Sequence, residues 1–172
     1  MKIAIIGYSG SGKSTLAGKL GKKHGIPVLY LDTVHWLPGW KERCREEKER
    51  IVADFLDTNE SWVIDGNYTR LWQERRLSEA DIIIFMAFNR FACLSRIIKR
   101  YRMYKGVTRD SMTEGCPEKI DRQFAKWVLW EGRSKKHRQH YKAILRQYSH
   151  KIVVIKNQYS LTAYECSQGL TT

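Results

Sequence analysis

The sequence predicts an α/β domain, a five-stranded parallel sheet with helices packed on both faces. Three observations support this. Five short apolar runs rich in β-branched residues alternate with spans of helical periodicity, the pattern of successive βαβ units. A glycine-rich segment, Gly7 to Gly12, joins the first run to the first helical span. The 172 residues contain no repeat, linker or low-complexity stretch, and compact single domains run to roughly 100–200 residues.

Taken in order, Lys2 to Ile6 is apolar after its lysine and stops at Gly7, which reads as a strand buried on both faces. Thr15 to His24 has good helix formers with Leu16 and Leu20 about one turn apart, closed by Gly25 and Pro27. Pro27 to Leu31 is the second strand. Glu42 to Leu56 is a charged helix with Ile51, Val52, Phe55 and Leu56 at helical spacing. Trp62 to Asp65 is the third strand, ended by Gly66 and Asn67, and Arg70 to Ala80 is helical. Asp81 to Phe88 is the fourth strand, and a helix follows from Asn89 to Tyr104. Lys105 to Pro117 holds two glycines and scattered polar residues, so it reads as a loop or lid. Pro117 suits the first turn of a long helix to about Tyr148, kinked at Gly132. Trp127 and Trp130, three apart on that helix, read as core. Lys151 to Ile155 is the fifth strand. The segment from Asn157 docks as a short helix or frays. Right-handed crossovers bring the C-terminal strand ends to one edge, where Gly7, Asp32 and Asp65 converge.

Composition narrows the class. With 42% hydrophobic and 28% charged residues and three prolines, the chain is neither disordered nor collagen-like. The longest apolar run, Ile82 to Phe88, falls short of the roughly 20 residues of a membrane span. The apolar stretch between Lys2 and Gly7 is too short for the core of a signal peptide, about 7–15 residues. Cys44, Cys93, Cys116 and Cys166 form no C-x-x-C pair, so they read as reduced thiols of a cytoplasmic protein. The net charge of +13 is uneven: residues 90–150 carry 16 Lys+Arg against 5 Asp+Glu, while residues 1–89 carry 13 against 12. Such a block suits a polyphosphate ligand or a nucleic acid backbone. It also suits a solvated helix face.

The strongest chemical signal is Gly7-Tyr-Ser-Gly-Ser-Gly12-Lys13-Ser14. It matches the P-loop pattern G-x-x-x-x-G-K-[ST] between a strand and a helix, and it makes the expected fold a P-loop NTPase three-layer sandwich. The glycines let successive backbone N–H groups wrap an anion, and the following helix adds partial positive charge. Gly7, Ser9, Gly10, Ser11, Gly12, Lys13, Ser14 and Thr15 are therefore candidate ATP-binding residues. Lys13 can reach the β- and γ-phosphates, and the Ser14 hydroxyl can ligate Mg²⁺. A GTPase would show D-x-x-G and N-K-x-D motifs, which are absent, and a transporter ATPase would carry Glu where Gly66 follows Asp65. The length and the charged lid-like segment suit a small kinase. Asp65 can hold Mg²⁺ through water, or it is a turn aspartate in an Asp-Gly pair.

At these residues the sequence resembles the adenylate-kinase-like family of nucleoside and small-molecule kinases. Asp65-Gly66-Asn67-Tyr68 with Arg70 and Gln73 is similar to the family's D-G-F-P-R…Q segment, with the same Asp-to-Gln spacing and the arginine one residue later. The resemblance implies that Asp65 serves Mg²⁺, Arg70 holds an acceptor phosphate and Gln73 reads an acceptor base. Arg96 and Arg100 resemble the family's R-x-x-x-R, whose first arginine packs on adenine and whose second grips phosphates. On the residues alone they are also a plain i, i+4 helix face. The chain departs from adenylate kinases after the second strand: it has Leu31-Asp-Thr-Val-His-Trp36 and no arginine where a T-G-D-x-x-R segment would stand. An aspartate there resembles small-molecule kinases, in which it takes a hydrogen bond or proton from the substrate hydroxyl. Asp32 could instead cap a helix. A closer resemblance, carried by Leu31 to Trp40, Val63 to Tyr68 and Glu114 to Lys119, is to bacterial proteins labelled "DNA topology modulation" (FlaR-related). That label implies an effect on DNA.

The expectation is a kinase that transfers the γ-phosphoryl of Mg·ATP to a nucleotide or small hydroxylated acceptor. Lys13, Asp32 and Arg100 are the catalytic candidates. Arg96 and Arg100 face the donor, and Asp32, Trp36, Arg70 and Gln73 face the acceptor. Trp36 and Trp40 either line that pocket or anchor a mobile loop, and His35 reads as structural. The sequence leaves open which of Arg102, Arg109, Arg122, Arg133 and Arg138 enter the site. The alternative is a DNA-binding regulator that uses ATP as a switch.

Overall fold

β1 (Lys2–Gly7) is apolar on both sides because both sides are covered: Ala4 and Ile6 belong to one core, Ile3 and Ile5 to the other. Side chains alternate across a strand, so a doubly buried strand shows no polar alternation. The computed structural model describes residues 1–170. After β1 come α1 (Lys13–His24), β2 (Val28–Tyr30), α2 (Leu31–His35), β3 (Trp36–Leu37), β4 (Lys41–Glu42), α3 (Arg45–Thr58), β5 (Trp62–Asp65) and α4 (Gln73–Glu79). β6 (Ile82–Met86), α5 (Arg90–Tyr104), α6 (Arg122–Leu129), α7 (Lys135–Gln147), β7 (Ile152–Ile155) and α8 (Gln158–Ser167) complete the chain.

The main sheet is parallel with strand order β2-β5-β1-β6-β7. β1 is central. The first half of the chain builds outward on one side of it and the second half on the other, so the crevice past its C-terminal end is the topological switch point where ligands bind in such sheets. Leu31, Val34, Val52, Leu56, Leu77, Tyr141 and Ile144 place α2, α3, α4 and α7 over one face. Leu16, Leu20, Cys93, Ile97, Val128 and Leu161 place α1, α5, α6 and α8 over the other.

Several expectations need correction. The single helix from Pro117 to Tyr148 is two helices, α6 and α7, separated by a 3-10 turn at Glu131–Arg133. Each has its own side-chain cap: Asp121 accepts from Phe124 N at 2.7 Å, and Ser134 accepts from His137 N. The lid-like segment therefore runs on to residue 121. Trp127 and Trp130 are not core; they are 38% and 58% exposed. Residues 31–42 hold a short helix and a two-stranded hairpin, β3 with β4, too short to leave a periodic signal. α4 begins only at Gln73 because Trp72 takes a left-handed φ of 51°. The segment from Asn157 is a helix with a capping box between Asn157 and Ser160.

Candidate active site

The loop after β1 is built on glycine at two tight contacts. A Cβ on Gly7 (φ 142°) would fall 2.3 Å from Met86 O, against the neighbouring β6. One on Gly10 (φ 79°) would fall 2.7 Å from Cys93 O and 2.6 Å from Ile97 Cδ1 on α5. Neither contact nor dihedral admits a side chain. Within the loop, Ser11 N donates to Tyr8 O at 3.2 Å, and Lys13 Nζ donates to the same carbonyl at 3.2 Å. The lysine charge is thus folded back over the mouth of the loop.

Ser14, in the first turn of α1, donates its hydroxyl to Asp65 Oδ2 at 2.6 Å. Asp65 ends β5 and is buried, and its Oδ1 has no hydrogen-bond partner. Burial pushes its pKa up to about 6, with the Lys13 charge and the Ser14 bond opposing the shift. An orphaned buried carboxylate oxygen beside a hydroxyl fits a hydrated Mg²⁺. Among the described residues no cluster of three or more His, Cys, Asp or Glu could hold a metal. An ion here would complete its shell from water and phosphate, which is how Mg²⁺ is usually held.

Four arginines of the basic block turn inward. The Arg96 guanidinium lies 4.1 Å from the Phe88 ring centroid, donates to Ser11 O at 2.7 Å and bonds Gln158 on α8. Arg133 stacks 3.7 Å from the Tyr8 ring and donates to Phe88 O at 2.8 Å. Arg100 and Arg109 share Glu118, whose side chain is 5% exposed: Arg100 Nη2 reaches Oε1 at 2.6 Å and Arg109 Nε reaches Oε2 at 2.7 Å. Arg102, Arg122 and Arg138 are exposed. Trp127, read from sequence as core, places its indole N–H 3.3 Å from Ser9 Oγ in the loop. Glu118 and Trp127 are site residues that sequence reasoning missed.

On the other side of Asp65 the segment Gly66 to Tyr68 is bolted in place. Asn67 accepts from Gly7 N at 2.9 Å and donates to Gly7 O at 2.7 Å, and Tyr68 Oη donates to Asp32 Oδ1 at 2.7 Å. Asp32 lies in the first turn of α2 and caps nothing. His35 packs against Tyr68 and Trp36, with ring centroids 4.7 and 4.6 Å apart. Burial lowers its pKa, and the charge of Lys48 lowers it further, which favours the neutral ring. Trp36 packs edge-on to Trp40.

The segment after α5 packs onto this hairpin. Thr113 Oγ1 donates to Trp36 O at 2.6 Å, Gly39 N donates to Gly115 O at 3.0 Å, and the Cys116 thiol meets Leu37 O.

Two expected acceptor residues are placed elsewhere. Arg70 is exposed in a shallow groove with Arg45, Glu49 and Trp72. Gln73 is buried and donates to Asn67 O at 2.9 Å, so its amide supports the loop. Arg76 does the larger share of that work. It is fully buried and donates to Leu71 O at 2.7 Å, Tyr68 O at 2.9 Å and Gly66 O at 3.3 Å. Burial draws its pKa down to about 10, with Asp65 opposing. Arg76→Met strands the Leu71 and Gly66 carbonyls and leaves Tyr68 O with Leu71 N alone, and we expect it to lower stability by roughly 2–4 kcal/mol, read from urea unfolding midpoints.

The loop after β1, the Ser14–Asp65 pair and the parallel sheet define a P-loop nucleotide-binding fold. More narrowly, it is the adenylate-kinase-like α/β fold of P-loop kinases. The chain is similar in structure to shikimate kinase from Acinetobacter baumannii in complex with shikimate (TM-score 0.56, 13% identity, covering 98% of this chain and 93% of that one). It is likewise similar to TT1252 from Thermus thermophilus (TM-score 0.55, 15% identity, covering 100% and 98%). Deoxyadenosine kinase from M. mycoides aligns at TM-score 0.47 and 16% identity over 98% of this chain and 97% of that one. No family model and no curated protein matches the sequence.

Proposed function

We propose that the chain is an ATP-dependent phosphotransferase that moves the γ-phosphoryl of Mg·ATP to a hydroxyl-bearing acceptor. The observation that carries this reading is the pairing of two carboxylates with different surroundings across the loop. Asp65 is buried against Ser14 with one free oxygen, while Asp32 is half-buried, open on one oxygen and held by Tyr68. One suits a cation and the other suits a substrate hydroxyl.

In this reading the backbone N–H groups from Ser9 to Thr15 hold the donor phosphates, with Lys13 released from Tyr8 O to meet the β- and γ-oxygens. Ser14 and Asp65 would hold Mg²⁺, which neutralises phosphate charge when bound. Arg96, lodged between Phe88, Ser11 and Gln158, borders the donor side. Arg100 reaches the transferring group from the end of α5, and Asp32 orients the acceptor hydroxyl and takes its proton. Phosphoryl transfer needs mainly positioning and charge neutralisation, and a lid docked on the Trp36–Trp40 hairpin would keep water out. The neighbouring shikimate kinase fold supports a kinase reading at the level of architecture. The inward turn of Arg96, Arg100, Arg109 and Arg133 accounts for part of the charge that also suggested DNA.

The test is ADP release from Mg·ATP across nucleotides, nucleosides and small hydroxylated metabolites, with Lys13→Ala as control. Acceptor-stimulated release that is lost in the variant is the expected result. ATP binding without stimulation by any acceptor would defeat the reading.

A further inference from the structure

Resting on the phosphotransfer reading, we propose that the acceptor is an uncharged hydroxyl compound, and that acceptors already carrying a phosphate are rejected on the Asp32 side. The argument is a charge census around Asp32. A phosphate-bearing acceptor needs a cation to hold its dianion, and the cations on this side of Asp32 are already engaged by carboxylates or by an aromatic ring. Lys48 donates to Glu42 Oε1 at 2.6 Å, and Arg43 pairs with Glu47 and donates to Val34 O at 2.9 Å. Lys119 lies over the Trp40 ring at 4.8 Å. Arg70, the residue positioned by resemblance to grip an acceptor phosphate, is exposed in a groove with Arg45, Glu49 and Trp72.

The two remaining cations are Arg100 near the end of α5 and Arg109 in the segment that follows it. Arg100 and Arg109 divide between them one buried carboxylate, Glu118, which leaves about one positive charge. In the phosphotransfer reading that charge is assigned to the γ-phosphoryl. On the far side of Asp32, Lys48 Nζ comes within 3.4 Å of His35 Nδ1 but is paired with Glu42. There His35, Trp36 and Tyr68 pack together, flat surfaces that suit an apolar or planar face of a neutral molecule.

Asp32 sharpens the discrimination. Tyr68 occupies Oδ1, and no hydrogen bond from the described residues reaches Oδ2. That oxygen can accept the acceptor's O–H. In the transfer the acceptor oxygen bonds to the γ-phosphorus, its proton passes to Asp32, and the bond from γ-phosphorus to the β–γ bridging oxygen breaks with its electron pair leaving on ADP. A phosphate set against this carboxylate meets like charge in a half-dry pocket, an arrangement that discriminates strongly against the wrong ligand.

The experiment has two arms. In the first, Mg·ATP turnover is measured with matched acceptor pairs, each nucleoside against its 5′-monophosphate and each polyol against its monophosphate. We expect kcat/KM to favour the unphosphorylated member by at least about tenfold. A preference for the phosphorylated member overturns the proposal while leaving the phosphotransferase reading intact. Acceptor-independent ADP release throughout defeats that reading, and the proposal with it. The second arm does not depend on finding the acceptor. Inorganic phosphate is titrated calorimetrically into protein saturated with Mg²⁺ and a non-hydrolysable ATP analogue, so that the γ-position is filled. No saturable site tighter than about 10 mM is expected; a tighter one shows a phosphate-holding acceptor pocket and overturns the proposal.

Discussion

Lys13→Ala is expected to cut acceptor-dependent ADP release by at least about 10³-fold, a loss larger than that of a single preorganised donor because the lysine both binds and stabilises charge. Its stability should fall only modestly, by roughly 1 kcal/mol at neutral pH, since the change removes one hydrogen bond and the support the lysine charge gives Asp65. The structure separates these outcomes. Lys13 Nζ makes one protein contact, the 3.2 Å bond to Tyr8 O, and no carboxylate pairs with it within ion-pair distance among the described residues. A residue kept for the fold would be locked in place; this one is free to change partners. The variant carries a second consequence. The Lys13 charge holds down the pKa of Asp65, so removing it raises that pKa further. Metal-supported turnover that survives in Lys13→Ala should therefore fall more steeply on acidification than in the parent. Steady-state assays from pH 6 to 8, with calorimetric ATP binding at neutral pH, check both parts. Turnover within about tenfold of the parent would remove the lysine from the chemistry.

Local rules made the donor half of the site readable. The loop from Gly7 to Ser14 announces itself because its backbone must approach β6 and α5 within distances that only glycine permits. Likewise β1 from Ile3 onward and β5 from Trp62 to Ile64 are apolar because each is covered on both faces. The acceptor half was less readable for a physical reason: its parts are assembled by contacts across the sequence. Tyr68 finds Asp32 from 36 residues away and Thr113 finds Trp36 from 77, and no periodicity reports such pairs. Glu118 holds Arg100 from 18 residues away and Arg109 from nine, pairings that no local pattern reports. Trp127 and Trp130 looked apolar enough for a core, but α6 presents only Val128 as a fully buried residue. The break between α6 and α7 had a local signal in Asp121 and Ser134, each placed three residues before the N–H it caps. Arg70 and Gln73, assigned to the acceptor by resemblance, flank the left-handed Trp72, the first exposed and the second bonded to Asn67 O.

Asp65→Asn should make the protein more stable and inactive. The carboxyl's ordinary pKa is 3.8, and in the fold burial raises it to about 6. Between those values the folded protein keeps a proton that the unfolded chain has lost. Stability therefore falls as pH rises from about 4 to about 6 and levels off above that, by an amount on the order of 3 kcal/mol. Asparagine keeps the shape and can still accept the Ser14 hydroxyl, but it carries no charge to desolvate. In metal-free buffer the variant should exceed the parent by about 1–3 kcal/mol at pH 7.5 and match it near pH 4, as read from urea midpoints at the two pH values. Turnover with Mg·ATP should fall by at least about a hundredfold, since a neutral amide is a poor partner for a hydrated divalent cation. If Asp65 were a turn residue, asparagine would be neutral or destabilising at every pH and activity would survive. Because the burial penalty is felt only by the charged form, a gain in stability confined to neutral pH and coupled to lost turnover identifies a carboxylate held for the cation it meets.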